Sequence, residues 1–260
     1  MPLLFNGIIS IIFDNDLYHL LYCFRTYFLL SYRYAVSDTR KVGPFMGFLN
    51  PDNFLNRFFG KVGDVITLNI LFILCSIPLF TIGASATALY YSCMKMIKGD
   101  ETIARKDFIK SFKENFKQST IVWLVFVVIA VILIFNIQFL VTQQSSYGNI
   151  LKYLSYGISA IVVFELLYIF PVIGAFANTT KNLLKNAFLF TYMHIPSTIV
   201  MALLWVIPLS LTFTDFKLAP LYLFCWFFFG FALLALICSW FFYRIFKKYL
   251  PAEDEETEIA

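Results

Sequence analysis

Four long apolar runs dominate the second half of the chain. They cover residues 120–141, 153–176, 195–213 and 221–243. Each run has about the 20 apolar residues that an α-helix needs to cross the hydrocarbon core of a membrane. The polar segments between them, 142–149, 178–186 and 214–220, are too short to fold as separate domains. The pattern predicts an all-α, polytopic transmembrane helical bundle.

A fifth apolar stretch, residues 61–98, contains a break. Pro78, Thr81 and Gly83 lie at its centre, and Asn69 interrupts the apolar residues before them. Proline and glycine breaks persist at membrane depth only where they are packed in protein or line a cavity. We therefore mark Asn69, Pro78, Thr81 and Gly83 as candidate residues of a pathway or of close helix packing.

Two topologies fit this stretch. In the first, residues 62–80 cross the membrane and 84–97 return as a short helix, which gives six membrane helices and a cytoplasmic N-terminus. In the second, one kinked helix crosses and its polar end follows the inner surface, which gives five. We favour the first because Arg57 and Lys61 suit a cytoplasmic start. The prediction is five to six membrane helices, the first broken from Pro78 to Gly83.

Composition excludes a soluble domain. Hydrophobic residues make up 60% of the 260-residue chain and charged residues 14%, and the mean hydropathy is +0.77, whereas soluble domains are about half apolar. The net charge of +4 is small and its cations lie in short loops. We therefore expect no binding to nucleic acid.

The cations are unevenly distributed between the two sides of the predicted bundle. Residues 95–118, 177–194 and 244–248 together hold twelve lysines and arginines, whereas the loops on the other side hold only Lys152 and Lys217. Cytoplasmic loops are enriched in lysine and arginine. The imbalance predicts a multi-pass cell-membrane protein whose C-terminus is cytoplasmic.

Residues 105–118 have the pattern of an amphipathic helix. Phe108, Ile109, Phe112 and Phe116 share one face. The cations Arg105, Lys106, Lys110, Lys113 and Lys117 surround the other. Such a helix lies in the membrane interface and binds anionic lipid headgroups. The alternative is a docking surface for a cytoplasmic partner such as a transporter subunit.

Glu165 is an ionisable residue inside a predicted span. A charge at the bilayer centre costs a few kcal/mol, so this carboxyl must be protonated, paired or hydrated. One interpretation is a substrate or proton site. The other is a neutral carboxyl that hydrogen-bonds to Asn69, Thr81 or Tyr168 for helix packing.

Motifs for catalysis are missing from the sequence. There is no Ser-His-Asp set, no HExxH and no phosphate-binding glycine loop. The five cysteines lack CxxC spacing, and His19 and His194 stand alone. We expect neither an enzyme nor a cofactor, a metal or a disulfide.

The two ends of the chain differ from its middle. Residues 1–45 mix short apolar runs with charges and contain no clean span, and Met46 follows a segment whose codons could form a ribosome-binding sequence. We expect 1–45 to be a non-native extension or irregular segment, with translation beginning at Met46. We expect 46–250 to form one helical membrane domain and the acidic residues 251–260 to be a disordered tail.

One segment resembles a known family. FLNPDNFLNRFFGKVGDVITLNILFILCSIPLFTIGASATALYY, at 48–91, and FIKSFKENFKQSTIVWLV, at 108–125, resemble the YesL-like family of bacterial integral membrane proteins (domain of unknown function 624). The similarity extends from about Met46 to the last helix, and members of that family also begin near the position of Met46. The resemblance implies a Gram-positive cell-membrane protein, often encoded beside carbohydrate ABC importers, without an established activity or catalytic residues.

These observations favour an accessory or regulatory role linked to carbohydrate ABC uptake, with ABC transporter subunits as partners. The alternative is an autonomous secondary transporter or channel for a small solute. A third interpretation is a structural or lipid-interacting protein.

Overall fold

The computed structural model describes residues 54–99, 103–142 and 146–249, which are almost entirely helical and contain no strand. The helices are α1 (Phe54–Ser76), α2 (Ile82–Lys98), α3 (Ala104–Thr142), α4 (Ser146–Ala175), α5 (Thr180–Met193), α6 (Ile195–Thr214), α7 (Ala219–Cys225) and α8 (Phe231–Phe246). Short 3-10 helices occupy Leu79–Thr81 and Phe216–Leu218, and a π-helical turn, Trp226–Gly230, joins α7 to α8. The predicted all-α helical bundle is confirmed.

The chain divides between Val62 and Gly63 into two compact units. Of the first unit, only the helical residues 54–62 are described. The packing and the sites below belong to the second unit. The predicted extension at 1–45, the start at Met46 and the acidic tail at 251–260 lie outside the described residues.

Five of the described helical segments are long and apolar enough to cross a membrane: Phe58–Ser76, Ala104–Thr142, Tyr147–Ala175, Ile195–Thr214 and Ala219–Phe246. The last four cover the four predicted spans, except that the predicted span 153–176 extends one residue beyond Ala175. Large apolar side chains on these segments are exposed, such as Phe135 at 68% and Leu223 at 64%. A soluble protein would bury such a continuous apolar surface, whereas a lipid-facing surface requires it. The chain is therefore a multi-pass membrane protein.

Helix α2 is the most enclosed element of the described bundle. It packs against α3, α4 and α8, and its buried positions are mostly small or polar: Gly83, Ala84, Ser85, Thr87, Ala88, Ser92 and Cys93. Small residues let helix backbones approach closely. With 17 residues, α2 is shorter than the about 20 that a span needs. It is not among the five segments.

The structure corrects two expectations about the basic segments. Residues 180–186 of the predicted loop 178–186 belong to helix α5, because Leu183, Ala187 and Phe190 recur at helical spacing and are buried. The amphipathic segment 105–118 is continuous with the span that follows it, within α3. Its apolar face is not free for lipid either, since Phe108 is fully buried in the protein core.

Candidate functional site

The break between α1 and α2 is narrower than the sequence predicts. Helix α1 ends at Ser76, Pro78 has extended backbone before the 3-10 helix, and α2 begins at Ile82. Gly83 therefore lies inside α2 and not in the break. Gly83 allows α2 and α3 to approach each other closely, because a Cβ at this position would lie 2.6 Å from Ser119 O and 2.6 Å from Trp123 Cβ on α3.

Two side chains hydrogen-bond to backbone carbonyls in and beside the break. The Thr81 hydroxyl is 2.5 Å from Cys75 O and 2.6 Å from Pro78 O. The Trp123 indole N–H donates to Leu79 O over 2.9 Å. These bonds replace those lost where the helix stops, so they stabilise the break in a medium without water. The geometry matches the packing interpretation of Pro78, Thr81 and Gly83.

Asn69 has a different role from these three residues. Its side chain is fully buried on α1 and faces the π-helical turn. Asn69 Nδ2 donates to Trp226 O over 3.0 Å and to Phe227 O over 2.6 Å. The Ala232 N–H donates in return to Asn69 Oδ1 over 2.9 Å. One amide thus holds both ends of the turn, and we call this arrangement the Asn69 clamp.

The π-helical turn is further fixed by its own residues. A Cβ at Gly230 would lie 2.7 Å from the Trp226 ring, so that ring requires a residue without a side chain there. The Trp226 indole N–H donates to Thr212 Oγ1 on α6 over 2.9 Å. Single π turns inside α-helices occur frequently at functional sites. The sequence analysis missed this turn because it lies within an unbroken apolar run.

An open groove of about 680 Å³ borders the turn. Residues of α1, α6, α7, the turn and α8 line it, and almost all of them are apolar: Ile73, Leu209, Thr212, Phe213, Leu223, Phe224, Trp226, Phe227, Phe228 and Phe231. The one polar side chain among these residues that could bind a ligand, Thr212, already accepts from Trp226. The groove offers shape and hydrocarbon contact, without a free hydrogen-bonding side chain.

Glu165 stands apart from the other candidate residues. It is partly exposed on α4 and makes no hydrogen bond or ion pair with any described residue. The three expected partners are engaged elsewhere: Asn69 and Thr81 as above, and Tyr168 with Thr198 Oγ1 at 3.0 Å. The described residues thus show none of the hydrogen bonds that the packing alternative for Glu165 names. Glu165 does not line the apolar groove either.

The candidate docking cations extend outward from the N-terminal half of α3. Lys106, Lys110, Lys113 and Lys117 are exposed, and Arg105 is partly so. On the opposite face, Phe108 is buried, and Phe112 packs against the core and stacks on Phe108. This half of α3 is anchored by its apolar face and presents its charged face. We call this charged face the α3 basic face.

Direct contacts gather the other basic segments near the α3 basic face. Lys95 at the end of α2 pairs with Asp107 at 2.8 Å. Gln118 donates to Asn178 O and Thr180 Oγ1 at the start of α5. Phe190 of α5 contacts Phe246 and Tyr249 at the end of α8, with ring centroids 5.2 Å apart in both pairs. Lysines and arginines that are distant in sequence therefore share one end of the unit.

Metal-binding side chains do not cluster in the described part of the chain. No three His, Cys, Asp or Glu residues there lie close enough together to hold a metal ion. The described cysteines, Cys75, Cys93, Cys225 and Cys238, are free thiols.

Residues 65–137 match the model of a family described as protein of unknown function, DUF624. This is the YesL-like family. The resemblance expected from the sequence therefore holds, and the matched segment includes Asn69, the break, α2 and the α3 basic face. Glu165, the π-helical turn and the groove residues of α6 to α8 lie outside it. No curated protein and no solved structure matches the chain.

Proposed function

We propose that this chain is an accessory component of carbohydrate ABC uptake, which binds importer subunits through the α3 basic face. The YesL-like resemblance supports the link to carbohydrate importers, because it implies genes encoded beside them. In this proposal the protein is in the cell membrane, and the end that carries the twelve cations faces the cytoplasm, in agreement with the positive-inside rule. The protein catalyses no reaction of its own.

The observation that carries the proposal is the anchoring of α3. A helix that only rests on a membrane keeps its apolar face for lipid. Here Phe108 is buried and Phe112 packs against the protein core. Lys106, Lys110 and Lys117 are exposed on this anchored helix. This surface is predominantly positive, with Glu114 as an exposed acidic residue among the lysines. An excess of positive charge favours steering and register with an acidic partner, and anionic lipid headgroups can neutralise the remaining cations at this end.

The test is recovery of the importer from native membranes. The variant carries Lys110→Glu, Lys113→Glu and Lys117→Glu, and the control carries Lys152→Glu and Lys217→Glu on the loops at the other end. We expect the first variant to recover about tenfold less permease and ATPase subunit, because its new glutamates repel the acidic surface of the partner. A C-terminal topology reporter confirms that both variants insert as the wild type does. Equal recovery from variant and control would remove the docking proposal.

The alternative function is an autonomous secondary transporter or channel. Glu165 favours it, because an ionisable group inside a candidate span, without a partner in the described chain, is typical of a proton or substrate site. The purified protein alone in proteoliposomes distinguishes the two functions. The accessory proposal expects no flux of sugar. Flux that disappears with Glu165→Gln and persists with Glu114→Gln, on the exposed surface of α3, would favour the transporter instead.

A further inference from the structure

The groove beside the π-helical turn has no task in the proposed function. Its walls come from three of the five candidate spans, those of α1, α6 and α7–α8. We propose that it binds one acyl chain of a bilayer phospholipid, as a specific lipid site on the membrane-facing surface. This inference is independent of the importer proposal.

The chemistry of the groove selects hydrocarbon. Its volume, about 680 Å³, is within the range of about 300–1,000 Å³ that is usual for ligand pockets. The Thr212 hydroxyl is occupied by the Trp226 indole. The Asn69 amide occupies the Trp226 and Phe227 carbonyls. A polar ligand would leave its own hydrogen bonds unmade here, which costs free energy in an apolar site.

The position of the groove identifies the source of that hydrocarbon. Leu209, Phe213, Leu223 and Phe227 line it and are also exposed on the surface of the candidate spans. The groove is thus continuous with the surface that contacts lipid. In a bilayer the molecules that cover this surface are phospholipids, whose acyl chains lie at the depth of the spans. The aromatic walls provide a shaped contact that a smooth helix surface does not.

The π-helical turn contributes much of this shape. Trp226, Phe227 and Phe228 all belong to the turn, and Phe231 follows it directly. An inserted residue in a helix re-aims the side chains around it. The Asn69 clamp fixes the turn from α1. The turn and its clamp therefore serve to build a lipid-binding wall within the α7–α8 span.

Quenching of tryptophan fluorescence by phospholipids with brominated acyl chains tests the site. One form keeps only Trp226, which lines the groove, and the other keeps only Trp240, which is exposed on α8 outside it. The remaining tryptophans are replaced by phenylalanine. Because only packing distinguishes the groove from the rest of the apolar surface, we expect the groove to bind acyl chains with a modest preference. Trp226 should be half-quenched at about one third of the brominated lipid fraction that half-quenches Trp240.

Filling the groove provides the matched control. Leu209→Phe should raise the brominated fraction at which Trp226 is half-quenched to the value for Trp240. Leu203→Phe, at an exposed position of α6 outside the groove, should leave the Trp226 value unchanged. Ile73→Phe fills the groove from α1 and repeats the test if Leu209→Phe folds poorly. Equal quenching of Trp226 and Trp240 in the unfilled protein would overturn the proposal.

Native mass spectrometry gives a second measurement without replacing tryptophans. The wild-type protein and the Leu203→Phe variant should retain one phospholipid after extraction in detergent. Leu209→Phe should lose it. Equal lipid retention in all three proteins would contradict a site in the groove.

Discussion

Replacing Asn69 by leucine tests the clamp at nearly constant side-chain volume. The change removes two donated bonds to the π-helical turn and the bond accepted from the Ala232 N–H. Asn69 is fully buried, so water does not replace these partners. We expect Asn69→Leu to destabilise the protein and to loosen the turn.

The magnitude follows from the number of bonds. Interhelical hydrogen bonds in membrane proteins contribute about 0.6 kcal/mol each on average, so three of them give a lower bound of about 2 kcal/mol. If the Ala232 N–H is left unpaired, that buried group adds about 1–3 kcal/mol. We therefore expect the free energy of unfolding to fall by about 2–5 kcal/mol.

Unfolding in mixed micelles by titration with a denaturing detergent measures this change. Thr67→Val on the same helix is the control, because the Thr67 hydroxyl donates only to Gly63 O within α1. Hydrogen exchange of the amides in Trp226–Gly230 should also accelerate in Asn69→Leu. A loss of stability equal to that of Thr67→Val, with unchanged exchange in the turn, would refute the clamp.

Two further predictions concern the break and the helix beside it. Gly83→Ala should lower the free energy of unfolding by about 1–3 kcal/mol through overpacking against α3, whereas Gly157→Ala, with no atom within 4 Å of the added Cβ, should be neutral or slightly stabilising in the same titration. Thr81→Val should cost about 1–2 kcal/mol because the Cys75 and Pro78 carbonyls lose their hydroxyl donor; an unchanged unfolding midpoint would mean that backbone groups alone stabilise the break.

The later spans could be predicted from the sequence because the bilayer imposes one requirement on all of them. A crossing helix needs about 20 apolar residues whatever its partners are, and the described helices follow the apolar runs. Helix α5 was missed for the converse reason. Its lysines are typical of a loop between spans, although Leu183, Ala187 and Phe190 repeat at helical spacing.

The candidate site was only partly predictable. The polar and small residues Asn69, Thr81 and Gly83 stand out in an apolar stretch, so the sequence identified them. Their roles depend on partners that the local pattern does not contain. Asn69 pairs with carbonyls 157 and 158 residues away, and Gly83 matters because of the backbone of α3. The π-helical turn cannot be detected in an apolar run. An inserted residue changes the helical spacing of polar residues, and this run contains no stripe of polar residues whose spacing could change.

The docking role was predicted from the charges of α3 alone. The structure adds that the helix carrying these charges packs against the protein core. The sequence placed the apolar face of residues 105–118 in lipid. The structure buries Phe108 in the protein instead. The apolar face of an amphipathic helix can be covered by lipid or by a neighbouring helix, and amphipathicity alone does not distinguish the two. Only tertiary packing decides between them.

Crosslinking in the native membrane tests the accessory function most directly. A photoreactive residue replaces Lys110 on the α3 basic face in one protein and Lys217 on the loop between α6 and α7 in another. The account predicts crosslinks to carbohydrate ABC importer subunits from position 110 and none from position 217. Crosslinks from position 110 to lipid and to copies of this chain alone would contradict it.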